Sequence, residues 1–186
     1  EVNHLPPLLF AGSDGLFAAD ERLADSGGDE LPDVAIGRLP ALTTNDLAAM
    51  IAKIKAYEAG FGQNWQNQIV LANDVNDAAA GDFKAANERI AARTDAKHPL
   101  ADVVDLNVMA IAPARNKLLA YFNRGAGFIH YTGHGGVANW SKLNLLKAAD
   151  VAGLNNPNRP PIVVALSCLV GRYEAPGVNS LGELLL

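Results

Sequence analysis

The chain's single cysteine, Cys168, follows the apolar run Ile162-Val163-Val164-Ala165-Leu166. A histidine set among glycines, in Thr132-Gly133-His134-Gly135-Gly136, follows a second such run at 127–131. A thiol is only a few per cent ionised at neutral pH, and an imidazole beside it can remove its proton and later protonate a leaving amine. That is the chemistry of acyl transfer to a cysteine nucleophile. Glycines after the histidine let a substrate backbone come close. The amide N–H groups of Gly135 and Cys168 are candidates to face a developing oxyanion, a good donor lowering the barrier by ~3–4 kcal/mol. A carboxylate or carbonyl normally orients the imidazole, and Asp74 and Asp77 stand just past the run at 68–72.

The same residues have plainer uses. A lone cysteine after an apolar strand is often inert core, and a histidine in a glycine loop serves as a turn residue or a metal ligand. Asp74 has the type of a helix cap or turn former. A metal pair of His130 and His134 suits a helix better than a strand that ends in a glycine turn; His4 and His98 lie elsewhere in the chain. Spacing alone leaves these alternatives open.

The elements that must carry these groups are legible in outline. Short β-branched runs alternate with helix-like segments, which predicts βαβ units and an α/β fold with a mainly parallel sheet flanked by helices. Strands are expected at 7–11, 34–37, 68–72, 103–110, 127–131 and 162–167, several of them apolar throughout, as when both faces are covered. Thr43-Thr44-Asn45-Asp46 is a capping signal for a helix over 44–59 carrying Leu47, Met50, Ile51, Ile54 and Tyr57 at helical spacing. Further helices are expected at 83–93, at 114–122 after Pro113, and at 143–151. The proline-rich turn at 155–161 launches the last strand. Strand ends in such a sheet share one edge, where ligands bind near a topological switch point. Neighbouring strands at 127–131 and 162–167 would therefore present His134 and Cys168 together.

Composition excludes several other classes. The chain has 186 residues, 49% hydrophobic and 19% charged, with a formal net charge of −5 from interspersed carboxylates. This is the balance of a globular protein of one domain, large enough to bury a core without disulfides or metals. No basic cluster suggests a nucleic-acid partner, and no apolar run approaches the ~18–20 residues that span a bilayer. One cysteine permits neither an internal disulfide nor a multi-cysteine metal site. The segment 13–33 reads as a solvated acidic loop. Its Asp14, Asp20, Asp25, Asp29 and Glu30 are of a type that holds structural calcium, but no spacing matches a calcium-binding loop. The absence of a signal peptide and the apolar ending Gly182-Glu183-Leu184-Leu185-Leu186 mark the chain as an expected piece of a larger protein.

At the histidine and cysteine motifs the sequence resembles a known family. His130-Tyr131-Thr132-Gly133-His134-Gly135, then Trp140, is similar to the histidine motif of the gingipain-type cysteine peptidases, which share the caspase-like fold. Ala165-Leu166-Ser167-Cys168-Leu169-Val170-Gly171, followed by Ser180-Leu181-Gly182-Glu183-Leu184-Leu185, resembles the family's nucleophile strand and next helix. Pro32-Asp33-Val34-Ala35-Ile36-Gly37-Arg38-Leu39-Pro40 and Lys55-Ala56-Tyr57-Glu58 extend the likeness upstream. The resemblance implies a caspase-like three-layer sandwich, with His134 as general base and acid, Cys168 as nucleophile, and Gly135 and Cys168 as oxyanion-hole amides. It places Asp74, in preference to Asp77, as third member after Val70-Leu71-Ala72-Asn73. Thr132, Trp140, Lys84 and Asp82 are the candidate substrate-contacting residues. Aligned by Gly81 and Glu88, Lys84 takes the position where arginine-specific members carry an acidic specificity residue, with Asp82 the nearest substitute.

The implied organisation is an N-terminal α/β part over 1–62, with the acidic loop 13–33 and the helix 44–59, and a caspase-like catalytic part over 63–186 that the family continues beyond Leu186. The implied activity is endopeptidase cleavage of proteins or peptides through a thioester acyl-enzyme, requiring no cofactor, outside or on the surface of a bacterial cell. The resemblance also implies further domains of the same polypeptide. Two rival readings are a non-catalytic caspase-like module that binds peptides or serves assembly, and a signalling domain that cleaves specific partners.

Overall fold

The computed structural model describes residues 6–12 and 15–186. Strands β1 (Leu9–Gly12) and β2 (Gly15–Ala18) form an antiparallel hairpin in which Phe10 pairs with Phe17, their rings 5.5 Å apart and edge to face. A cross-strand aromatic pair of this kind stabilises a hairpin, so β2 is a strand where the sequence reads as loop. The rest of the acidic segment is irregular apart from a single 3-10 turn at Asp20–Ala24. Asp25 accepts the amides of Gly28, Asp29 and Glu30, and Asp33 accepts the amide and hydroxyl of Ser26 and the amide of Gly27. Both carboxylates thus close tight turns. Asp14 and His4 lie outside the described residues. The expected strand at 34–37 is exposed coil instead: Val34 and Ile36 alternate correctly, but no neighbouring strand pairs with them among the described residues.

Helix α1 (Thr44–Ala59) begins as expected, with a reciprocal capping box between Thr43 and Asp46. Its Leu47, Ile51 and Ile54 are exposed. A short 3-10 turn then leads into β3 (Ile69–Asn73), α2 (Phe83–Ala91), β4 (Leu100–Asp105), α3 (Ile111–Arg124) and β5 (Phe128–Thr132). β4 stops earlier than expected because Asp105 turns the chain, its carbonyl accepting the amides of Val108 and Met109. Pro113 sits inside the first turn of α3, where a missing N–H costs nothing. A small antiparallel sheet of β6 (Gly135–Gly136), β7 (Asn139–Trp140) and β8 (Leu146–Lys147) follows. Only α4 (Ala148–Val151) of the expected 143–151 helix is helical, since Leu146 and Lys147 pair with β7 and Leu145 and Leu146 are fully buried. β9 (Ile162–Leu166) and α5 (Leu181–Leu185) complete the chain.

The main sheet has the order β4-β3-β5-β9, and every neighbour is parallel. On one face Val70, Ala72, Val104, Ile129 and Tyr131 pack against Ala114, Leu118, Tyr121 and Phe122 of α3, with Trp140, Leu145 and Leu146 closing the cluster. Burying each such large side chain contributes ~1.5–3 kcal/mol. The alternate residues Asn73, His130 and Thr132 face α2, whose Asn87 is buried among them. Helices on both faces of one sheet make a caspase-like three-layer sandwich. From β3 the chain crosses to β4, and from β4 it returns over β3 to β5. Right-handed crossovers in opposite directions put α2 and α3 on opposite faces. The chain therefore diverges between the carboxyl ends of β3 and β5, which is the switch point where a cleft opens.

Candidate active site

Strand register sets the site. Asn73 lies opposite Thr132, and Thr132 opposite Leu166, so the residues that follow each strand emerge side by side. From β5 comes His134, whose Nε2 lies 2.9 Å from Asp77 Oδ2. Asp77 is held in a turn in which its Oδ1 accepts the amides of Ala79 at 2.8 Å and Ala80 at 3.3 Å. Lys142 Nζ stands 3.6 Å from the same oxygen that meets the imidazole. The amide of Ala79 first, and then the His134 ring, hold the Asp77 carboxyl down at about 2. Phe83, at the start of α2, packs edge to face on the imidazole, with centroids 5.4 Å apart. One ring nitrogen of His134 is thus held, and its ring is braced perpendicular to that of Phe83.

Asp74, the preferred orienting residue at the level of sequence, does something different. It is buried, and its Oδ1 accepts Ser141 Oγ at 2.7 Å and the Val75 amide at 2.8 Å. Its Oδ2 accepts the His134 amide at 3.3 Å and lies 3.4 Å from the Tyr131 hydroxyl. Asp74 therefore meets the backbone of His134, while Asp77 meets the ring. The reason is local: the Asp74 amide still pairs with the Thr132 carbonyl, which keeps this residue low against β5. Three residues later the chain has left the sheet, and its side chain can reach the imidazole.

Cys168 is a free, exposed thiol two residues beyond β9. Gly135 packs against the same segment. A Cβ placed on Gly135 would lie 2.1 Å from Ser167 Oγ and 2.8 Å from the Cys168 carbonyl oxygen, so only glycine fits there. The Ser141 amide donates to the His134 carbonyl, which makes His134 and Ser141 a hydrogen-bonded pair and Gly135 and Trp140 a non-hydrogen-bonded one. The N–H of Gly135 consequently points out of the small sheet. Leu169, directly after Cys168, holds a φ of 60°, a left-handed conformation that costs a bulky residue ~1–3 kcal/mol. Such strain is common where a loop must aim a functional side chain.

The expected substrate-contacting residues are engaged elsewhere. Trp140 is a core aromatic, stacked on Tyr131 at 4.6 Å and almost parallel to it. Thr132 is buried, donating to Asn87 Oδ1 and meeting His130 Nε2 at 2.8 Å. Lys84 pairs with Glu88 one turn along α2, and Asp82 caps that helix, accepting the Ala85 amide and Asn76 Nδ2. Tyr131, Ser141, Phe83 and Lys142 join the site without having been singled out. Only tertiary contact reveals them, since none has a distinctive spacing to His134. Beneath the site, His130, Thr132, Asn87, Asn73 and Asp105 form a continuous buried chain of hydrogen bonds across β5, α2, β3 and β4. Burial lowers the pKa of His130 and favours its neutral form. An apolar cavity of about 360 Å³ behind β9, lined by Trp140, Val163, Ala165 and Val170, is separate from the His134 edge. Among the described residues no three His, Cys, Asp or Glu side chains gather as metal ligands, and no helix is long and apolar enough to cross a membrane.

A parallel sheet between helices, with an imidazole and a thiol following adjacent strands, defines the class of caspase-like α/β folds. Within that class, peptidase family C25 matches residues 3–186, and the chain belongs to this family. Gingipain R2 of Porphyromonas gingivalis is 24% identical over 152 residues, covering 79% of this chain and 20% of the relative. Gingipain R1 of the same bacterium is 24% identical over 152 residues, with 79% of this chain and 15% of the relative covered. The crystal structure of the Arg specific cysteine proteinase gingipain R superposes with a TM-score of 0.73 at 21% identity, over 90% of this chain and 39% of that one. The complex of Porphyromonas gingivalis RgpB pro- and mature domains gives a TM-score of 0.74 at 21% identity, over 90% of this chain and 40% of that one. The chain thus spans well under half the length of the relatives it matches.

Proposed function

We propose that the chain carries the reactive edge of a cysteine endopeptidase, with Cys168 as nucleophile and His134 as general base and acid. The contact of Gly135 with the Ser167–Cys168 segment is the observation that carries this reading, because it brings the histidine loop onto the cysteine loop. Asp77 holds Nε2, which leaves Nδ1 of His134 to take the thiol proton. Sγ then attacks the scissile carbonyl, and the oxyanion meets the outward N–H of Gly135 and that of Cys168. As the intermediate collapses, the C–N bond breaks and His134 returns the proton to the leaving amine. Water, deprotonated by His134, then hydrolyses the thioester and frees the acid product. Asp77, in place of Asp74, takes the orienting role. No step uses a cofactor.

The substrates are polypeptides, and the protein acts outside the cell or on the surface of a bacterium, in keeping with its family. Arginine at P1 is not favoured: Lys84 and Asp82 are engaged within α2, and that helix offers no free acidic side chain at the aligned position. Iodoacetamide labelling of Cys168, followed by a fluorogenic library scanned at P1, tests the reading. Labelling should be faster than for free cysteine at the same pH and should slow strongly in His134→Ala, and apolar or polar P1 residues should be cleaved before Arg or Lys. An ordinary thiol with no cleavage would replace this reading with a non-catalytic caspase-like module.

A further inference from the structure

A peptidase reading leaves one buried carboxylate unexplained. Asp74 receives three donors, the Val75 amide, the His134 amide and the Ser141 hydroxyl, the last two from opposite ends of the hairpin that presents His134. The Tyr131 hydroxyl of β5, 3.4 Å away, gives its single proton to the nearer His134 carbonyl. The Tyr131 hydroxyl lies 2.7 Å from the His134 carbonyl, which also accepts the Ser141 amide at 2.7 Å. Burial, and then the nearby Asp74, push the Tyr131 phenol far above its ordinary range, so it remains a donor under all ordinary conditions. Gly133 makes this approach possible, since a Cβ there would meet Asp74 Cβ at 2.4 Å and the Tyr131 hydroxyl at 2.6 Å. Ser141 is buried and left-handed, with a φ of 64°, and its hydroxyl also accepts the Leu143 amide. A bare structural role would need donors from anywhere. Here both ends of one hairpin converge on one carboxylate.

We infer that Asp74, Tyr131 and Ser141 form a positioning clamp that fixes the main chain of His134, while Asp77 separately orients its ring. The inference rests on the cysteine peptidase reading for its catalytic consequence. Neither Tyr131 nor Ser141 touches substrate; each acts through the placement of the imidazole and of the Gly135 amide next to it. A shift of about 1 Å in such a group can cost on the order of 100-fold in rate.

The test uses the full chain with Tyr131→Phe, which keeps the ring stacked on Trp140, and Ser141→Ala at the other end of the clamp. Should one fail to fold, the other still decides. Three quantities are measured: the rate of Cys168 alkylation by iodoacetamide from pH 5 to 9, amide hydrogen exchange at His134, and the melting temperature. Both variants should alkylate about tenfold more slowly near pH 6.5. Exchange at His134 should speed up about tenfold while amides within β3 keep their protection. Asp77→Asn should change the alkylation profile but leave His134 exchange as it is. Alkylation and His134 exchange both within twofold of the parent, or changes only in step with global unfolding, would overturn the clamp. If the parent thiol is no more reactive than free cysteine, the peptidase reading fails, and unchanged His134 exchange in the variants then separately rejects the clamp.

Discussion

Replacing Gly135 by alanine forces a carbon to within 2.1 Å of Ser167 Oγ, 2.8 Å of the Cys168 carbonyl oxygen and 2.9 Å of Val170 Cγ1. Ordinary contact begins at 3.4 Å; the Ser167 hydroxyl can rotate away, but the Cys168 carbonyl is main chain, so the hairpin and the cysteine loop must part by roughly 0.6 Å (3.4 − 2.8). Overpacking of this kind costs ~1–3 kcal/mol of stability. The same displacement moves the Gly135 N–H from the oxyanion and His134 from Cys168, and losing one oxyanion donor alone costs about 100- to 1000-fold in turnover. Gly171→Ala is the control, because a Cβ there meets nothing within 4 Å. Urea denaturation and active-site-titrated hydrolysis of a peptide substrate read the two effects. Gly135→Ala should lose ~1–3 kcal/mol and at least about 100-fold in turnover, with Gly171→Ala close to the parent in both. Parental stability and turnover in Gly135→Ala would refute the close approach of the two loops, and with it the proposed oxyanion hole.

Two further outcomes follow from the titrating groups. Asp77 has its carboxyl lowered to about 2, so it keeps its charge across the working pH range, and its stabilising contribution is complete above the ordinary value of 3.8 and lost as pH falls through about 2. Asp77→Asn should therefore lower turnover about 10- to 100-fold, because the imidazolium formed during the reaction loses its anionic partner; turnover within twofold of the parent would exclude Asp77 as that partner. His130 has its pKa lowered by burial from the ordinary 6.5, so the unfolded chain takes up a proton that the folded chain does not, and stability falls as pH drops below about 7. His130→Gln should flatten the pH dependence of the melting temperature between about pH 5 and 7, and an unchanged slope would place the proton uptake elsewhere.

Strands β3, β5 and β9 were legible because residues such as Val70, Ile129 and Val163 are apolar where a parallel strand between two layers must be. Helix α1 was legible from Thr43 and Asp46, whose capping contacts are local and independent of the rest of the fold. The segment 34–37 shows the limit of such patterns: alternation marks a chain able to be a strand, but a ladder needs a neighbour. The helix expected over 143–151 failed for a related reason. Leu145 and Leu146 are buried under the Trp140 layer, and their pairing with β7 outweighs local helical preference.

For the candidate site, residue types and chain order by themselves placed His134 and Cys168 just after two strands of a mainly parallel sheet, with glycines around the histidine; the pairing of β5 with β9 made those strands neighbours. Strand period and crossover handedness are local rules, so they carry from sequence to topology. What tertiary structure alone decided is which carboxylate reaches which part of His134. Asp74 and Asp77 differ by three residues, but Asp74 remains paired to β5 while Asp77 sits in a turn already clear of the sheet. Trp140 was decided the same way, its ring drawn onto Tyr131 in the core although its chain position borders the cleft. A side chain's reach depends on the height and direction at which its turn leaves the sheet, and those are fixed only when the layers pack.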